Sequence, residues 1–190
     1  LLMANANYKD VLLNFIWILE TRHGAHNYGI ACMDEEIRTF LESKKIRCYH
    51  MIRQEKETGE LRRTVRMELI LNLLRAGVNV IQNDVDAVWR ADLRLELQEA
   101  DITGQRDKHP AQLLKRWGST FCTGALFIRS CENTIKYFET LLTHSHAHAF
   151  LDQLKFNMGL EHKTNGGVTW ISPMESRYYG SKESTGDISR

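Results

Sequence analysis

Proline is scarce in this chain. Pro110 and Pro173 are the only two in 190 residues, and no stretch is rich in glycine and serine. That excludes a low-complexity chain or one with a flexible linker, and one folded domain is the expectation. Internal repeats are absent, which removes solenoids and propellers. No apolar run approaches the roughly 18 residues needed to span a bilayer. No basic segment followed by an apolar one reads as a signal peptide. An excess of one charge is missing too. The formal net charge is +1, so electrostatics give no case for nucleic-acid or membrane-surface binding. The four cysteines, Cys32, Cys48, Cys122 and Cys131, form no Cys-x-x-Cys pair, which argues against a zinc site. Cys32 and Cys122 lie in apolar, strand-like runs, where a buried free thiol is the expected state. No Asn-x-Ser/Thr sequon occurs, which neither requires nor excludes a secretory location.

What remains is an ordinary globular composition, 43% hydrophobic and 26% charged, long enough to bury a sizeable core. Its most informative segment is Val78-Asn-Val-Ile-Gln-Asn-Asp84-Val-Asp86-Ala-Val-Trp89. A β-branched, apolar strand runs into two carboxylates one residue apart. In extended backbone, side chains i and i+2 share a side, roughly 7 Å apart. Ligands of open α/β sheets bind at the carboxyl ends of strands. Two acids so placed repel unless something positive stands between them, and Mg²⁺ or Mn²⁺ carrying a diphosphate would serve. Asp-x-Asp by itself also fits a solvated turn. Apolar sequence on both sides favours partial burial, where charges are paired or bind metal.

Periodicity gives the organisation around that segment. Leu1 to Asn5 reads as the end of a strand, and Asn7 to Asp10 as a turn with Asp10 as a candidate N-cap. Helical spacing covers 11–22, 35–43, 61–76, 133–143 and 151–160. Gly77 follows the third of these as a helix stop. Strands are expected at 28–33, 46–51, 78–83, 100–103, 121–129 and 168–172, and a polar loop at 53–60. Strands alternating with helices predict an α/β fold with a mainly parallel sheet flanked by helices in a single domain.

Several smaller constellations have two readings. Gly124, after Thr123, fits close approach of a ligand to the strand, or plain packing. Asp152-Gln153 can hydrogen-bond sugar hydroxyls, although N-capping by Asp152 explains the acid equally. Arg62 and Arg66 share a helix face. Arg66 could reach a phosphate, while spacing alone favours a solvated face. His144, His146 and His148 alternate and would share one face of a strand, but an incidental surface loop is the plainer account. Trp17 and Trp89 are expected in the core.

The ordered set of these segments resembles the nucleotide-diphospho-sugar transferases of glycosyltransferase family 77. Their pattern has a basic residue, a helix, a glycine-led strand, then Asp-x-Asp-x-x-Trp, as in Arg66 to Trp89 here. Asn7-Tyr8, Asp34 after Ala31-Cys-Met, Thr123-Gly124, Asn133-Thr134-Ile135 and Asp152-Gln153 with Phe156-Asn157 follow in order. The resemblance implies a GT-A fold, Rossmann-like, over residues 1–190, cut short at the first strand and at the C-terminus. It places Mn²⁺ or Mg²⁺ and the donor diphosphate on Asp84 and Asp86. Ala4, Asn5, Tyr8 and Asp34 would lie near the nucleoside, and Arg66 near the phosphates. Thr123, Gly124, Asp152 and Gln153 would line the sugar and acceptor side.

The implied chemistry is transfer of a pentose or hexose, with retained configuration, from a nucleoside-diphosphate sugar to a glycan or glycoprotein. UDP-sugar is the favoured donor. Family members are commonly Golgi proteins held by a membrane helix, which this chain does not carry. Two departures stand out: Cys122 replaces a usual asparagine, and Leu93 replaces the usual proline after Asp92. Two alternatives keep the same acids. One is a non-catalytic sugar- or nucleotide-binding relative. The other is a haloacid-dehalogenase-type phosphohydrolase with Asp84 as nucleophile and Asp86 as acid/base, although no later acid pair completes its Mg²⁺ site.

Overall fold

A computed structural model describes residues 1–50, 59–96, 100–109, 111–117, 120–143, 152–163 and 171–174. Seven strands form one sheet: β1 (Leu2–Ala4), β2 (Ile30–Cys32), β3 (Tyr49–His50), β4 (Val80–Asp84), β5 (Ile102–Asp107), β6 (Thr120–Ile128) and β7 (Ile171–Met174). Their order across the sheet is β3-β2-β1-β4-β6-β5-β7. β1 runs parallel to β2 and β4, β2 to β3, and β5 to β7, whereas β6 is antiparallel to both β4 and β5. Among the described strands β6 alone is reversed, and the expected mainly parallel sheet is what forms.

Helices α1 (Lys9–His23), α2 (Glu35–Ser43), α3 (Gly59–Arg75), α4 (Ala111–Trp117), α5 (Glu132–Thr143) and α6 (Asp152–Lys163) cover the sheet. Strand alternation sorts them by face. Leu2, Ala4, Ile30 and Cys32 pack with Leu12, Phe15, Ile37 and Leu41 of α1 and α2. Met3 and Ala31, one residue out of phase, pack with Val65 of α3. Further along the same face, Val80, Leu126 and Ile128 meet Leu74 of α3, Phe138 of α5 and Phe156 of α6. Each large side chain so buried contributes about 1.5 to 3 kcal/mol.

Local signals explain most boundaries. Gly77 takes φ +78 after α3, a left-handed stop that a β-carbon would disfavour. Asp34 caps α2, its Oδ1 accepting from the Ile37 N–H at 2.8 Å. Asp10 does not cap α1. The helix begins at Lys9 with Tyr8 in the cap position, and Asp10 lies in the first turn, where its charge suits the helix dipole. Trp17 is not core either. It is 54% exposed on α1, beneath the Arg22 guanidinium, whereas Trp89 is buried as expected. Periodicity did not anticipate α4 or a short 3-10 turn at Leu93–Glu96. The strand expected at 168–172 is described only as Ile171–Met174, and most of the expected loop at 53–60 lies outside the described residues.

The cysteine expectation needs correction. Cys32 is not a free thiol but is bonded to Cys48, with Cα atoms 6.0 Å apart. Cys32 ends β2 and Cys48 precedes β3, so the bridge ties the two-residue edge strand to its neighbour. Cys122 and Cys131 are not in a disulfide.

Candidate functional site

β4 delivers Asp84 to the carboxyl edge of the sheet, beside the strand where chain direction reverses. Asp86 lies beyond the strand rather than in it. The Ala87 N–H donates to the Asp84 carbonyl at 3.0 Å, closing a turn over residues 84–87. The extended i, i+2 geometry expected for the two acids is therefore replaced by a strand end and a turn. Val85 is buried and Asp86 is exposed.

Alternation along β4 decides what each acid meets. Asp84 and Gln82 share the face toward α3, and the Gln82 amide donates to Asp84 Oδ1 at 3.3 Å. On that face the Arg66 guanidinium stands 3.4 Å from Asp84 Oδ1, and its Nε–H points at Met3 Sδ at 3.2 Å. The Arg66 side chain is only 19% exposed. The solvated-face reading of Arg66 is thus overturned: Val65 and Leu69, packed beside Met3, turn this side of α3 onto the sheet. The side chain of Arg62 lies outside the described residues.

Gly124 lies across from Asp84 on β6. A β-carbon there would stand 3.3 Å from Asp84 Oδ2 and 3.3 Å from Cys122 Sγ. Both distances are tighter than ordinary van der Waals contact, so the glycine gives the Asp84 carboxylate its room. Here the group that comes close to the glycine is the acid itself. Cys122, Gly124, Asp84 and Arg66 are gathered at one place.

Beyond Asp84 the β4 backbone leaves β6, and pairing between the two strands is confined to residues 80–83 and 125–128. Side chains of α6 take over that edge. Asn157 accepts from the Phe121 N–H at 2.8 Å and donates to the Phe121 carbonyl at 2.9 Å and the Gln153 carbonyl at 2.8 Å. One turn earlier, Gln153 Oε1 accepts from the Thr123 N–H at 3.3 Å, and its amide nitrogen donates to Asp107 Oδ2 at 2.8 Å and the His109 carbonyl at 3.0 Å. Gln153 therefore holds the Thr123 backbone in place. Asn157 is fully buried; sequence reading named it only as part of a motif, and its i, i+4 spacing from Gln153 was the available signal. The side chain of Asp152 and all of His144, His146 and His148 lie outside the described residues.

Ala4, Asn5, Tyr8 and Asp34, expected from sequence near the nucleoside, are grouped around one turn. Ala4 ends β1 in the core. Asn5 accepts from the Asn7 N–H at 3.1 Å and caps a 3-10 turn over Ala6–Tyr8. Asp34 spans the gap between β2 and this turn, its Oδ2 accepting from the Ala6 N–H at 3.0 Å. Tyr8 is 45% exposed. An open groove of about 570 Å³ lies beside the turn, between Ala6, Lys9 and α2 residues including Glu35 and Phe40. It does not reach Asp84.

The donor set suits one class of cation. Among the described residues no three His, Cys, Asp or Glu side chains cluster to hold a metal. That does not suit a cation needing an all-protein cage. Two hard carboxylates at an open edge do suit Mg²⁺ or Mn²⁺, which takes one or two carboxylates and completes its shell with substrate phosphates and water.

The sequence profile of a family described as nucleotide-diphospho-sugar transferases matches residues 23–178. Among solved structures, the chain is similar to galactosyltransferase LgtC in complex with donor and acceptor sugar analogs. The TM-score is 0.56 at 14% identity, covering 93% of this chain and 73% of that one. An active-site glutamine-to-glutamate mutant of LgtC gives a TM-score of 0.55 at 13% identity, covering 93% and 72%. At such identities the likeness speaks for the fold, which is GT-A. No curated protein matches the sequence.

Proposed function

The chain belongs to the nucleotide-diphospho-sugar transferase family, and we propose that it is a metal-dependent, retaining glycosyltransferase. It would move a pentose or hexose from a nucleoside-diphosphate sugar, UDP-sugar first among candidates, to a hydroxyl of a glycan or glycoprotein. The observation that carries this reading is Asp84, an acid held open at the carboxyl end of β4 between a guanidinium and a glycine.

In this reading Asp84 and Asp86 hold Mn²⁺ or Mg²⁺ together with the donor diphosphate. The cation, when bound, neutralises charge on the departing nucleoside diphosphate. Arg66, already 3.4 Å from Asp84, is placed to pair with phosphate oxygens as well, which a planar fork does better than an ammonium. Ala4, Asn5, Tyr8 and Asp34 shape the nucleoside side through the turn that Asp34 anchors. Thr123 and Gly124 present backbone to the sugar, positioned by Gln153, and Asp152 would face the acceptor. Retention lets the leaving phosphate take the acceptor proton, so the chain need supply no base. Residence in the Golgi lumen belongs to the same proposal. The Cys32–Cys48 bridge supports it, since disulfides persist in oxidising compartments. No helix among the described residues is long and apolar enough to cross a membrane.

Calorimetric titration with UDP, GDP and phosphate, in Mn²⁺ and then in EDTA, tests the reading. Metal-dependent, micromolar binding of one nucleoside diphosphate is expected. Asp84→Asn and Asp86→Asn should abolish it with the fold intact. Wild-type affinity in both variants would refute the assignment.

A further inference from the structure

Asn83 is 2% exposed, an unusual place for an amide on a strand. It lies one residue before Asp84, so it points to the opposite face of the sheet, toward α1. There its side chain makes three hydrogen bonds. Its Oδ1 accepts from the Trp89 indole N–H at 3.1 Å. Its Nδ2 donates to the Asp84 carbonyl at 2.7 Å and to the Ala87 carbonyl at 2.9 Å. The two carbonyls are the first and last of the turn that carries Asp86.

The orientation of that amide is dictated rather than chosen. An indole N–H can only donate, so the Asn83 oxygen must face Trp89 and both amide protons must face the turn. Trp89 is itself fixed: it is 8% exposed, edge-on to Phe15 with ring centroids 6.3 Å apart, and His23 tilts over it at 5.9 Å. The turn has one backbone bond of its own, Ala87 N–H to Asp84 carbonyl. That bond leaves the Ala87 carbonyl to find a partner elsewhere, and Asn83 provides it.

We infer that Asn83 and Trp89 are positioning residues for the two acids, a clamp on the unliganded face of the sheet that sets Asp86 relative to Asp84. This rests on the donor-binding reading given above. The clamp touches neither metal nor donor. It makes the Asp-x-Asp turn rigid before anything binds, so the carboxylates do not lose that freedom on binding. It also gives the tryptophan three residues after the second acid a task beyond filling the core. Groups that orient ligating carboxylates in this way typically change metal affinity by about 10- to 100-fold when removed.

The test compares Trp89→Phe and Asn83→Ala with Phe15→Leu in the full chain. Trp89→Phe keeps an aromatic ring and removes the N–H. Phe15→Leu loosens the packing around Trp89 and leaves its hydrogen bond. Three quantities are measured: thermal midpoint, affinity for UDP with Mn²⁺, and hydrogen exchange of the Val85 to Ala87 amides without ligand. The expected result is nucleotide affinity weakened about 10- to 100-fold in Trp89→Phe and Asn83→Ala, with faster exchange confined to the turn. Phe15→Leu should lower the midpoint and bind as wild type does. Binding within twofold of wild type and unchanged turn exchange in Trp89→Phe would overturn the clamp. So would a Phe15→Leu variant that loses affinity as Trp89→Phe does. If wild type itself shows no metal-dependent nucleotide binding, the proposed function fails. The exchange arm then decides the clamp on its own: faster turn exchange upholds it and unchanged exchange rejects it. Should Asn83→Ala not fold, Trp89→Phe carries both readouts.

Discussion

The two sides of the site are built by different means. On the parallel side, β1, β2 and β4 end in loops held by short-range devices: an Asn5 cap, an Asp34 cap and turns closed by backbone bonds. Among the described residues the longer reaches include Asp34 to Ala6, Arg66 to Met3 and Asp84, and the Cys32–Cys48 bridge. On the antiparallel side, β6 leaves its neighbour, and two amides of α6 stand in for the missing strand across 30 and 36 residues of sequence. The first side spreads its support over several separate devices, so losing one leaves the others in place. The second concentrates its backbone satisfaction in Asn157 and Gln153, and there a single change has large consequences.

Asn157→Ala is the sharpest way to expose that difference. It strands the Phe121 N–H and carbonyl in a buried position, and each orphaned group costs about 1 to 3 kcal/mol. A loss of about 3 to 5 kcal/mol in urea unfolding is expected. A loss under about 1 kcal/mol would mean that water or a shifted α6 replaces the amide, and the contrast between the sides would fail. Next in size is the disulfide. Its ends lie 16 residues apart, and closing a loop of that length stabilises by about 3 kcal/mol in the chain-entropy account. Cys48→Ser should lower unfolding free energy by about 2 to 4 kcal/mol. Nucleotide affinity should fall less, because Asp34 still holds the Ala6 turn. Equal losses of both would show that β3 and the nucleoside side are one unit.

This asymmetry also accounts for what was legible in the sequence. Strand 78–83, helix 35–43 and the stop at Gly77 follow from apolar period and cap chemistry within a few residues, and the structure places them at or within two residues of expectation. Spacing alone favoured a solvated face for Arg66 because i, i+4 spacing says nothing about Met3 and Asp84, which come from strands 63 and 18 residues away. Cys32 was read as a buried thiol because its partner lies beyond a helix. The Asp-x-Asp pair was placed correctly at a strand end but with the wrong local geometry. The turn starts at Asp84, closed by the bond from the Ala87 N–H to the Asp84 carbonyl, with Asn83 reaching forward to the Ala87 carbonyl.

A smaller effect is expected at Gly124, where the two sides meet. Its backbone needs no left-handed φ, so Gly124→Ala should fold. The new methyl would crowd Asp84 Oδ2 and Cys122 Sγ at 3.3 Å, and the carboxylate would have to move by a few tenths of an ångström. Metal-dependent nucleotide affinity should fall about tenfold, with a change in thermal midpoint of only a few degrees. Unchanged affinity would mean that Asp84 has slack, and that the glycine serves packing alone. The Cys122 thiol, outside any disulfide, offers an independent readout, since bound nucleotide with Mn²⁺ should slow its alkylation in wild type.

The smallest effect lies in the loop that returns from the site to the parallel side. Arg94 pairs with Asp92 at 2.7 Å and also donates to the His23 carbonyl at the end of α1, a place where a cation suits the helix dipole. The Arg94 hydrogen bonds hold the Asp92 carboxyl below its usual 3.8, against a desolvation effect that raises it. A carboxyl lowered in the folded state contributes stability above its unfolded pKa, and that contribution is lost as pH falls through the lower folded value. Arg94 is 36% exposed, so solvent screens the pair, and Asp92→Asn should cost under about 1 kcal/mol at pH 7. The gap between variant and wild type should narrow as pH drops below 3.8 and close in strong acid. A gap that persists there would mean that the variant has lost a contact other than the ion pair, the bond from the Arg94 backbone N–H to Asp92 at 3.0 Å being the first to check. Charge would then have no part in joining the two sides at this point.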